Sequence, residues 1–511
     1  MNIERTKNAT RNIIWGVIEK IITLLLPFLT RTVLIKVLGS EYLGLNSLFT
    51  SVLQVLSISE LGFGSAIVFS MYKPIADDNK ELLCALLNLY RKVYHVIGCI
   101  ILVAGLVIAP FIDYFINGNP PSDVNVHILY LIYLANTVLS YFLFAYKQAL
   151  FTAYQRNDLI SKRTTLVNLC SNALMIASLL IIRNYYAYVI IVPLATICTN
   201  LLNAYLANKM YPDLVCKGKI TKEMASGIKK RIMGLVSFKI YGVIFSSVDT
   251  IVISAFLGLK TLAIYNNYYY VQTSIIGFMT ILTSSITAGI GNKMVTNSRE
   301  DNYRDFMKVT FMNAWLSSFC AVCLVCLYQH FMTWWVGEDL TFPIHTMLLM
   351  VAYFFLPRVS TITFTYREAA GLWWEDRFRP LVAAAVNLAV NLLLVRIIGV
   401  DGVIISTILC TIFINIPWGA YILFKNYFYK KPWEYYRQLF ICIFVTAFVA
   451  TVTWFLCSLL PDTGFFVMLL KGLICVVISN LLFVAAYCKK KEFKESKEIL
   501  FTMIVKIKSR K

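Results

Sequence analysis

Hydrophobic residues in this chain form long continuous blocks, and short polar segments separate one block from the next. Most blocks are about 20 residues long, the length of a helix that crosses the roughly 30 Å hydrocarbon core of a membrane. The blocks do not alternate apolar and polar residues as the strands of a membrane barrel do. The pattern therefore predicts about 14 membrane-spanning helices, over residues 13–35, 43–70, 93–112, 126–147, 164–182, 186–207, 232–257, 264–290, 309–330, 343–366, 380–398, 403–424, 438–460 and 464–487.

The second half of the chain weakly repeats the first half at an offset of 219 residues. At this offset identical residues coincide in distant parts of the chain: Lys20 with Lys239, Gly39 with Gly258, Asn168 with Asn387, and Asn172 with Asn391. Each repeat holds an even number of spans, so both halves enter the membrane from the same side and the repeat is parallel. We predict an all-α polytopic membrane protein with two six-helix lobes and an additional C-terminal helix pair.

The repeat and the charge pattern together predict five regions. They are an N-terminal six-helix lobe over 1–210, a basic inter-lobe linker over 211–231, a C-terminal six-helix lobe over 232–428, an appended transmembrane hairpin over 429–488 and a basic cytoplasmic tail over 489–511. The linker carries Ile220, Met224 and Ile228 at four-residue spacing among lysines. This spacing suits a short amphipathic helix that lies on an anionic membrane surface, and ordinary positive-inside charge is the preferred interpretation of the lysines, with which such a helix can coexist.

Composition and charge agree with a protein embedded in a membrane. The 511 residues are 59% hydrophobic and 14% charged, which is unlike a soluble globular domain. The net charge of +20 does not indicate nucleic acid binding, because the basic residues are spread along short connections. With 14 spans, the connections on one side hold 38 of the 47 Lys and Arg residues and those on the other side hold four. This bias predicts that both termini are cytoplasmic.

Motifs of enzymes, cofactor sites and metal sites are not apparent. We find no phosphate-binding loop, no dinucleotide fingerprint and no catalytic triad context, so we predict a protein that is not an enzyme and uses no cofactor. Transport would then be coupled to H⁺ or Na⁺, or driven by the membrane potential. Cys320, Cys323 and Cys326 lie on one helical face, but structural zinc normally takes four ligands, so packing is favoured and no metal site is predicted.

Basic residues inside the spans are candidates for a substrate-binding cavity. A charge near the bilayer centre costs at least about 2.5 kcal/mol on insertion scales, so it usually faces a cavity or a partner. Lys20 and Arg31 can share one face of the first span, and Lys239 is the repeat partner of Lys20. Arg358 follows a proline in the middle of the tenth span. A cationic cavity is one interpretation of these four residues, and side chains that reach towards the headgroups are the other.

Acidic residues in the same spans are candidates for charge balance or ion coupling. These are Glu19 in the first span, Glu60 in the second span and Asp249 in the seventh. Glu60 lies beside Gly62, and glycines let helices approach closely. We expect Glu60 to pair with Arg31 or Lys20, or to exchange a proton.

Short motifs spread over almost the whole chain add a family resemblance. The passages are Arg31, Leu38-Gly39, Tyr42-Leu43-Gly44-Leu45, Glu60-Leu61-Gly62, Ala370-Gly371, Glu375-Asp376-Arg377-Phe378-Arg379-Pro380, Asn387, Asn391, Gly399 and Gly402. The chain resembles, in these passages, the polysaccharide transporters of the superfamily that also contains multidrug exporters, lipid-linked oligosaccharide flippases and lipid II flippases. The motifs identify the family better than the substrate.

The resemblance implies a flippase of the bacterial inner membrane. Such a protein moves undecaprenyl-pyrophosphate-linked oligosaccharide repeat units to the outer leaflet by alternating access, for O-antigen lipopolysaccharide, capsule or exopolysaccharide. Its implied partners are the lipid-linked glycan, membrane lipids and glycan polymerase or assembly proteins. In that family the first and seventh spans front a cationic cavity, a location that Lys20, Arg31 and Lys239 match by position, whereas Arg358 is inferred from its place in the span.

Two other functions remain open at this stage. One is a multidrug or metabolite antiporter of the same fold, for which an acidic cavity is expected. The other is a polyprenyl-linked glycan polymerase or ligase, for which a large outer loop is expected. The basic intramembrane residues argue against the first function, and the short outer connections over 113–125 and 331–342 argue against the second.

Overall fold

The computed structural model describes residues 5–60, 62–461 and 464–496, and these residues form helices and short connections with no strand among them. The predicted basic tail over 489–511 lies mostly outside this part of the chain. The chain divides into two compact units, Met1–Asn266 and Asn267–Lys511. The five predicted regions were defined from the sequence repeat and the charges, whereas the two units are defined by contacts within each. The boundaries of the five regions therefore stay a prediction.

Nine helices belong wholly to the described part of the first unit, and a long tenth helix begins in it. They are α1 (Arg5–Val37), α2 (Ser40–Leu56), α3 (Phe63–Ala76), α4 (Lys80–Ile108), α5 (Val126–Phe142), α6 (Gln148–Ala153), α7 (Asn157–Ile181), α8 (Tyr185–Val189), α9 (Ile191–Met210) and α10 (Lys222–Thr296). The second unit contains the end of α10 and the remaining helices. These are α11 (Arg299–Val336), α12 (Ile344–Val359), α13 (Thr361–Ala369), α14 (Arg379–Cys410), α15 (Ile416–Leu423), α16 (Trp433–Ser458) and α17 (Phe465–Tyr487).

Ten helices in the described part of the chain are long and apolar enough to cross a membrane, or eleven if a bent pair over Val126–Phe142 and Ala145–Ala153 counts as one span. Two of these helices each cover two of the predicted spans, Arg379–Phe428 in full and Val236–Thr280 in large part. Non-helical backbone at Gly258 and at Gly399 separates the spans within each. The prediction of an all-α protein that crosses the membrane many times is confirmed.

The sequence repeat reappears in the backbone at Gly39 and Gly258. Both glycines have positive φ angles, 116° and 85° respectively, which side chains of L-residues rarely tolerate. Gly39 separates α1 from α2, and Gly258 interrupts α10 between its two predicted spans. Aligned residues therefore turn the chain at the same place in each repeat.

The second predicted span, over 43–70, is not one continuous helix. Helix α2 ends at Leu56, a 3₁₀ turn covers Ser57–Glu60, and α3 starts at Phe63. Gly62 takes the left-handed conformation at φ 78°, and this conformation cannot continue a right-handed helix. The break sets Glu60 on irregular backbone inside a span.

The predicted linker packs on protein through its apolar face. Ile228 is buried, and Ile220 and Met224 are partly buried, against the core cluster of the first unit. This contact corrects the expectation that the same face lies on a membrane surface. An ion pair of 2.8 Å between the exposed Lys80 Nζ and Asp213 also holds the linker, and it lowers the pKa of the Asp213 carboxyl.

A buried ion cluster forms at the passage that carries the most specific family motif. The Asp376 carboxylate accepts hydrogen bonds of 2.8 Å from the Nε atoms of Arg367 and Arg379. Arg379 also donates from Nη1 to Asn415 at 2.6 Å, and all three charged residues are at most 5% exposed. Gly419 allows the approach, since a Cβ there would lie 3.0 Å from Arg367 Nη1. The cluster fixes the entry to α14 in the second unit.

We predict that Asp376→Asn lowers the free energy of unfolding by about 3–5 kcal/mol, because it leaves two buried guanidinium groups without their counter-charge. Thermal unfolding of the purified protein in detergent measures the change. Asp213→Asn is the matched control, since it breaks an ion pair on the surface and should leave the melting temperature nearly unchanged. Equal melting temperatures for the two variants would contradict a stabilising role of the cluster.

Candidate functional site

The first unit contains a cavity of about 570 Å³, a size typical of sites for small molecules. Residues from helices α1, α2, α4, α5, α6, α7, α8 and α9 and from two 3₁₀ turns line it. The lining residues are Pro27, Thr30, Arg31, Asn46, Glu60, Tyr94, Ser140, Tyr141, Ala145, Gln148, Asn168, Ser171, Asn172, Met175, Tyr188, Val192, Ala195, Thr196, Thr199 and Asn200.

Most residues of the cavity lining have polar side chains, but few of them carry a charge. Fifteen of its twenty residues carry polar side chains, most of them amides and hydroxyls. Among these residues, all within the described part of the chain, Arg31 is the one basic side chain and Glu60 the one acidic side chain. Amides and hydroxyls both donate and accept hydrogen bonds, so the lining suits a ligand with many hydroxyl groups.

Helix α1 brings Thr30 and Arg31 to the cavity through its packing along α7. The Thr30 hydroxyl donates to the Asn172 side-chain oxygen at 2.7 Å, and the Asn172 amide donates to the Asn168 carbonyl at 2.8 Å. Asn172 thus joins two helices, which is a common role of asparagine side chains in membrane helices. Pro27 lies one turn before Arg31 and cannot donate a backbone hydrogen bond there.

Arg31 is partly buried and has a protein acceptor for its guanidinium group. Its Nη1 donates to the backbone carbonyl of Asn266 in α10 at 3.3 Å. This contact is long for a charged donor, and the acceptor carries no net charge. An anionic group in the cavity would therefore be a stronger partner for the guanidinium than the carbonyl.

Glu60 is held by tyrosines on both carboxylate oxygens. Tyr94 donates to Oε1 at 2.9 Å, and Tyr141 donates to Oε2 at 3.1 Å. Tyr90 donates in turn to the Tyr94 hydroxyl at 3.0 Å. Gly64 makes room for this network, because a Cβ there would lie 2.5 Å from the Tyr90 hydroxyl. The network keeps the carboxylate in a fixed position on the break between α2 and α3.

Side-chain amides elsewhere in the lining are also fixed by hydrogen bonds. Gln148 donates to the Asn200 side chain at 3.1 Å, and Thr196 donates to the Asn136 side chain at 2.7 Å. The Tyr133 hydroxyl donates to Asn46 at 2.8 Å. The bonds to Asn46 and Asn200 each occupy the oxygen of a lining amide, and the NH₂ group of that amide can still donate to a ligand. The cavity therefore presents polar groups in a preorganised arrangement.

The other predicted site residues of the first unit lie outside the cavity lining. Glu19 and Lys20 are partly buried on α1, and Lys239 is exposed on α10. Asp249 is buried at 3% exposure and accepts a hydrogen bond of 3.3 Å from the Tyr265 hydroxyl. Of the seven predicted residues, the structure brings Arg31 and Glu60 to one cavity, and the roles of the others stay predictions.

Arg358, the fourth predicted cation, belongs to the second unit. It lies in the last turn of α12, partly buried, next to Pro357 and just before the chain turns into α13. Its backbone carbonyl accepts a hydrogen bond of 2.8 Å from the Asn313 amide in α11.

Sequence reasoning did not identify the tyrosines and most of the amides of the cavity. Tyr94, Tyr141 and Gln148 lie in apolar or interfacial stretches, where aromatic residues and amides are usual. Glu60 was the one signal in the sequence that could have pointed to these tyrosines. A carboxylate inside a span needs hydrogen-bond donors, and tyrosine hydroxyls are donors that an apolar helix can carry.

Comparisons with known proteins agree with this architecture. A family model described as "Polysaccharide biosynthesis protein" matches residues 9–287. An inward-facing multidrug resistance MATE transporter of the MOP superfamily matches with a TM-score of 0.61 at 14% identity, over 78% of this chain and 93% of that one. The lipid II flippase MurJ, in an inward closed conformation, matches with a TM-score of 0.60 at 15% identity, over 93% and 98%.

A third solved structure, a MOP superfamily transporter from Pyrococcus furiosus described as having a binding pocket of reverse polarity, matches with a TM-score of 0.53. Its identity is 13%, over 83% of this chain and 97% of that one. No curated protein matches the chain. At these identities the solved structures establish the fold, which is the fold of polytopic transporters.

We predict that Tyr94→Phe and Tyr141→Phe each lower the free energy of unfolding by about 1.5–3 kcal/mol, since each removes a hydrogen bond to the Glu60 carboxylate. Denaturation in detergent, followed by tryptophan fluorescence, measures both losses. Tyr205→Phe is the control because Tyr205 is 68% exposed, and it should change the value by no more than about 0.5 kcal/mol. Similar values for all three variants would show that the tyrosines do not hold Glu60.

Proposed function

The chain belongs to the polysaccharide biosynthesis protein family, and we propose that it is a flippase for undecaprenyl-pyrophosphate-linked oligosaccharide repeat units. In this proposal the protein moves the lipid-linked glycan from the cytoplasmic to the outer leaflet of the bacterial inner membrane by alternating access. The glycan then enters O-antigen, capsule or exopolysaccharide assembly. The glycan polymerase or other assembly proteins are its proposed partners there.

The polar cavity of the first unit is the observation that supports this proposal most strongly. Its lining of amides and hydroxyls offers both donors and acceptors, which is the chemistry that sugar hydroxyls need. Tyr141 and Tyr188 add aromatic rings that can pack on sugar faces. Arg31 offers a bidentate fork for a carboxylate or phosphate on the cargo. A cavity for a purely apolar drug would not need this number of hydrogen-bonding groups.

The pyrophosphate is proposed to bind at lysines outside this cavity. Lys20 is partly buried, and it makes no ion pair with any residue that the structure describes. Lys239 is exposed. Arg358 is the corresponding candidate in the second unit. An inside-negative membrane potential favours outward movement of negative charge by about 2.3 kcal/mol per charge per 100 mV. The potential would therefore assist export of an anionic cargo.

The cytoplasmic location of both termini follows in this proposal from the bias of the basic residues. It puts the linker on the cytoplasmic side, where the lipid-linked cargo is synthesised. Lys20 lies about fifteen residues after the start of α1, and Lys239 occupies the corresponding position in the second repeat. In this proposal both lysines lie in the cytoplasmic half of their spans, so a cargo that enters from the cytoplasm would reach them first.

Glu60 is the proposed site of ion coupling. Two tyrosine hydroxyls stabilise its carboxylate, and release or uptake of a proton there would change both hydrogen bonds. Glu19 and Asp249 are the further candidates for H⁺ or Na⁺ coupling or for charge balance. No cofactor is part of the proposal.

A multidrug or metabolite antiporter of the same fold is the alternative function. The carboxylate of Glu60 in the cavity lining favours this alternative, since a carboxylate attracts an organic cation. The guanidinium of Arg31 in the same lining would repel such a cation. The alternative of a polyprenyl-linked glycan polymerase or ligase has no observation of this structure in its favour.

Removal of Arg31 tests the role of the cavity. We expect Arg31→Ala to reduce export of an acidic glycan at least about tenfold, because a charge-assisted hydrogen bond contributes about 1.5–3 kcal/mol. Accumulation of lipid-linked oligosaccharide in the inner leaflet of a deletion strain that carries the variant measures export. Lys36→Ala is the matched control, as this exposed residue lies on the same helix and should preserve export.

The double variant Lys20→Ala with Lys239→Ala should abolish export while the protein stays in the membrane at its normal level. Normal export by the double variant would refute the pyrophosphate assignment. Loss of drug efflux with normal glycan export in Glu60→Gln would support the antiporter instead.

We predict further that Glu60→Gln removes the pH dependence of transport but keeps a side-chain acceptor for the tyrosines. Uptake of lipid-linked oligosaccharide into proteoliposomes, measured over a range of pH, reports this dependence. The control is Asp113→Asn, which neutralises an exposed carboxylate next to His127. A pH profile that is unchanged in Glu60→Gln would exclude Glu60 as the coupling group.

A further inference from the structure

Three buried cysteines from three different helices converge in the second unit. They are Cys326 in α11, Cys457 in α16 and Cys475 in α17, and their sulfur atoms all lie within 4.8 Å of one another. Each of the three is at most 9% exposed. The sequence pattern could not show this cluster, because two of its members are far from Cys326 along the chain.

A fourth cysteine lies next to the cluster. Cys323 is partly buried and packs against the apolar core that contains Cys326, Cys457 and Cys475. Cys323 precedes Cys326 by three residues, so the two share one face of α11. Four cysteines thus meet at the junction of three helices.

The spacing of the sulfur atoms is close to that of a metal–thiolate site. Zinc binds cysteine sulfur at about 2.3 Å, which places the sulfurs of a tetrahedral or trigonal site about 3.8–4.0 Å apart. The observed upper limit of 4.8 Å exceeds this spacing by less than about 1 Å. Small side-chain rotations would therefore close the cluster around an ion.

A buried lysine gives the cluster a matching charge. Lys471 is 2% exposed in α17, and its backbone carbonyl accepts from the Cys457 thiol at 3.9 Å. A divalent cation with three thiolates and Cys323 as a neutral thiol has a net charge of −1, which one ammonium group neutralises. Neutrality matters at this position because isolated charges are costly in an apolar environment.

We propose that Cys326, Cys457 and Cys475, with Cys323 as the fourth ligand, bind Zn²⁺. The ion would fasten the hairpin of α16 and α17 to α11. Sulfur ligands in tetrahedral arrangement are the preferred environment of structural zinc, and the closed shell leaves no open position for catalysis. This role concerns the attachment of the hairpin and is independent of the proposed transport function.

Two simpler explanations make different predictions. Cysteines that act only as small apolar residues would bind no metal and would tolerate alanine. A disulfide would join two of the sulfurs and leave the other two as free thiols. Apolar packing requires no contact between cysteines, and a disulfide requires only two of them. Neither explanation accounts for four cysteines that meet from three helices.

The wild-type protein alone supplies the first test. The full-length chain, purified in detergent without chelators and then equilibrated with Zn²⁺, should retain one zinc ion per molecule after gel filtration. X-ray absorption at the zinc edge should show three or four sulfur neighbours at about 2.3 Å. Removal of the ion with a chelator should lower the melting temperature by roughly 5 °C or more.

Single substitutions supply the second test. Cys475→Ala and Cys326→Ala should each lose the bound zinc. Cys442→Ala is the matched control, since Cys442 is buried on the same helix as Cys457 but contacts Ser318 and Thr446 instead of the cluster. This variant should retain the ion.

Three results would overturn the proposal. They are wild-type protein that retains no zinc, zinc with oxygen or nitrogen neighbours in place of sulfur, and a disulfide between two cluster cysteines in mass spectra recorded without reductant. The first test needs no variant, so failure of Cys475→Ala to fold would not weaken it.

Discussion

The need to satisfy backbone hydrogen bonds within the hydrocarbon of a membrane governs this structure. Helices satisfy these groups internally, and irregular backbone at membrane depth is tolerated only inside protein or beside a cavity. In the part of the first unit that the structure describes, the second and fourth predicted spans are interrupted, by the 3₁₀ turn Ser57–Glu60 with Gly62 and between Phe142 and Ala145. Both contribute residues to the polar cavity, through Glu60 and Ala145. The functional candidate thus lies where the helices are broken.

Hydropathy and charge were enough to predict the fold class and two members of the cavity, and identical residues at one offset predicted the repeat. Arg31 and Glu60 were accessible because a charge in an apolar block is conspicuous. Their partners were not, because Tyr94 and Tyr141 resemble ordinary apolar or interfacial residues until the helices are packed. The same limit applies to the break in the second span, since Gly62 in an apolar block is compatible with a continuous helix.

The two repeats share a scaffold but differ in chemistry. Each repeat has a fully buried carboxylate near the start of its fifth predicted span. These carboxylates belong to Asp158 in α7 and to Asp376 at the entry to α14. Asp158 accepts from Arg156 at 2.9 Å, and its backbone amide donates to Asn12. Asp376 instead pairs with two arginines. The passage over 375–380 is one of those that carry the family resemblance, and the ion cluster gives it a structural role.

The bond between Arg31 and the Asn266 carbonyl links ligand binding to helix packing. The carbonyl accepts from Nη1 at 3.3 Å, and it is a weaker acceptor than an anionic oxygen. A guanidinium has five N–H groups, so an anionic oxygen can bind beside the carbonyl or compete with it for Nη1. An anionic cargo and the contact of α1 with α10 therefore draw on the same side chain, and a cargo that competes for Nη1 would loosen this contact between the two helices.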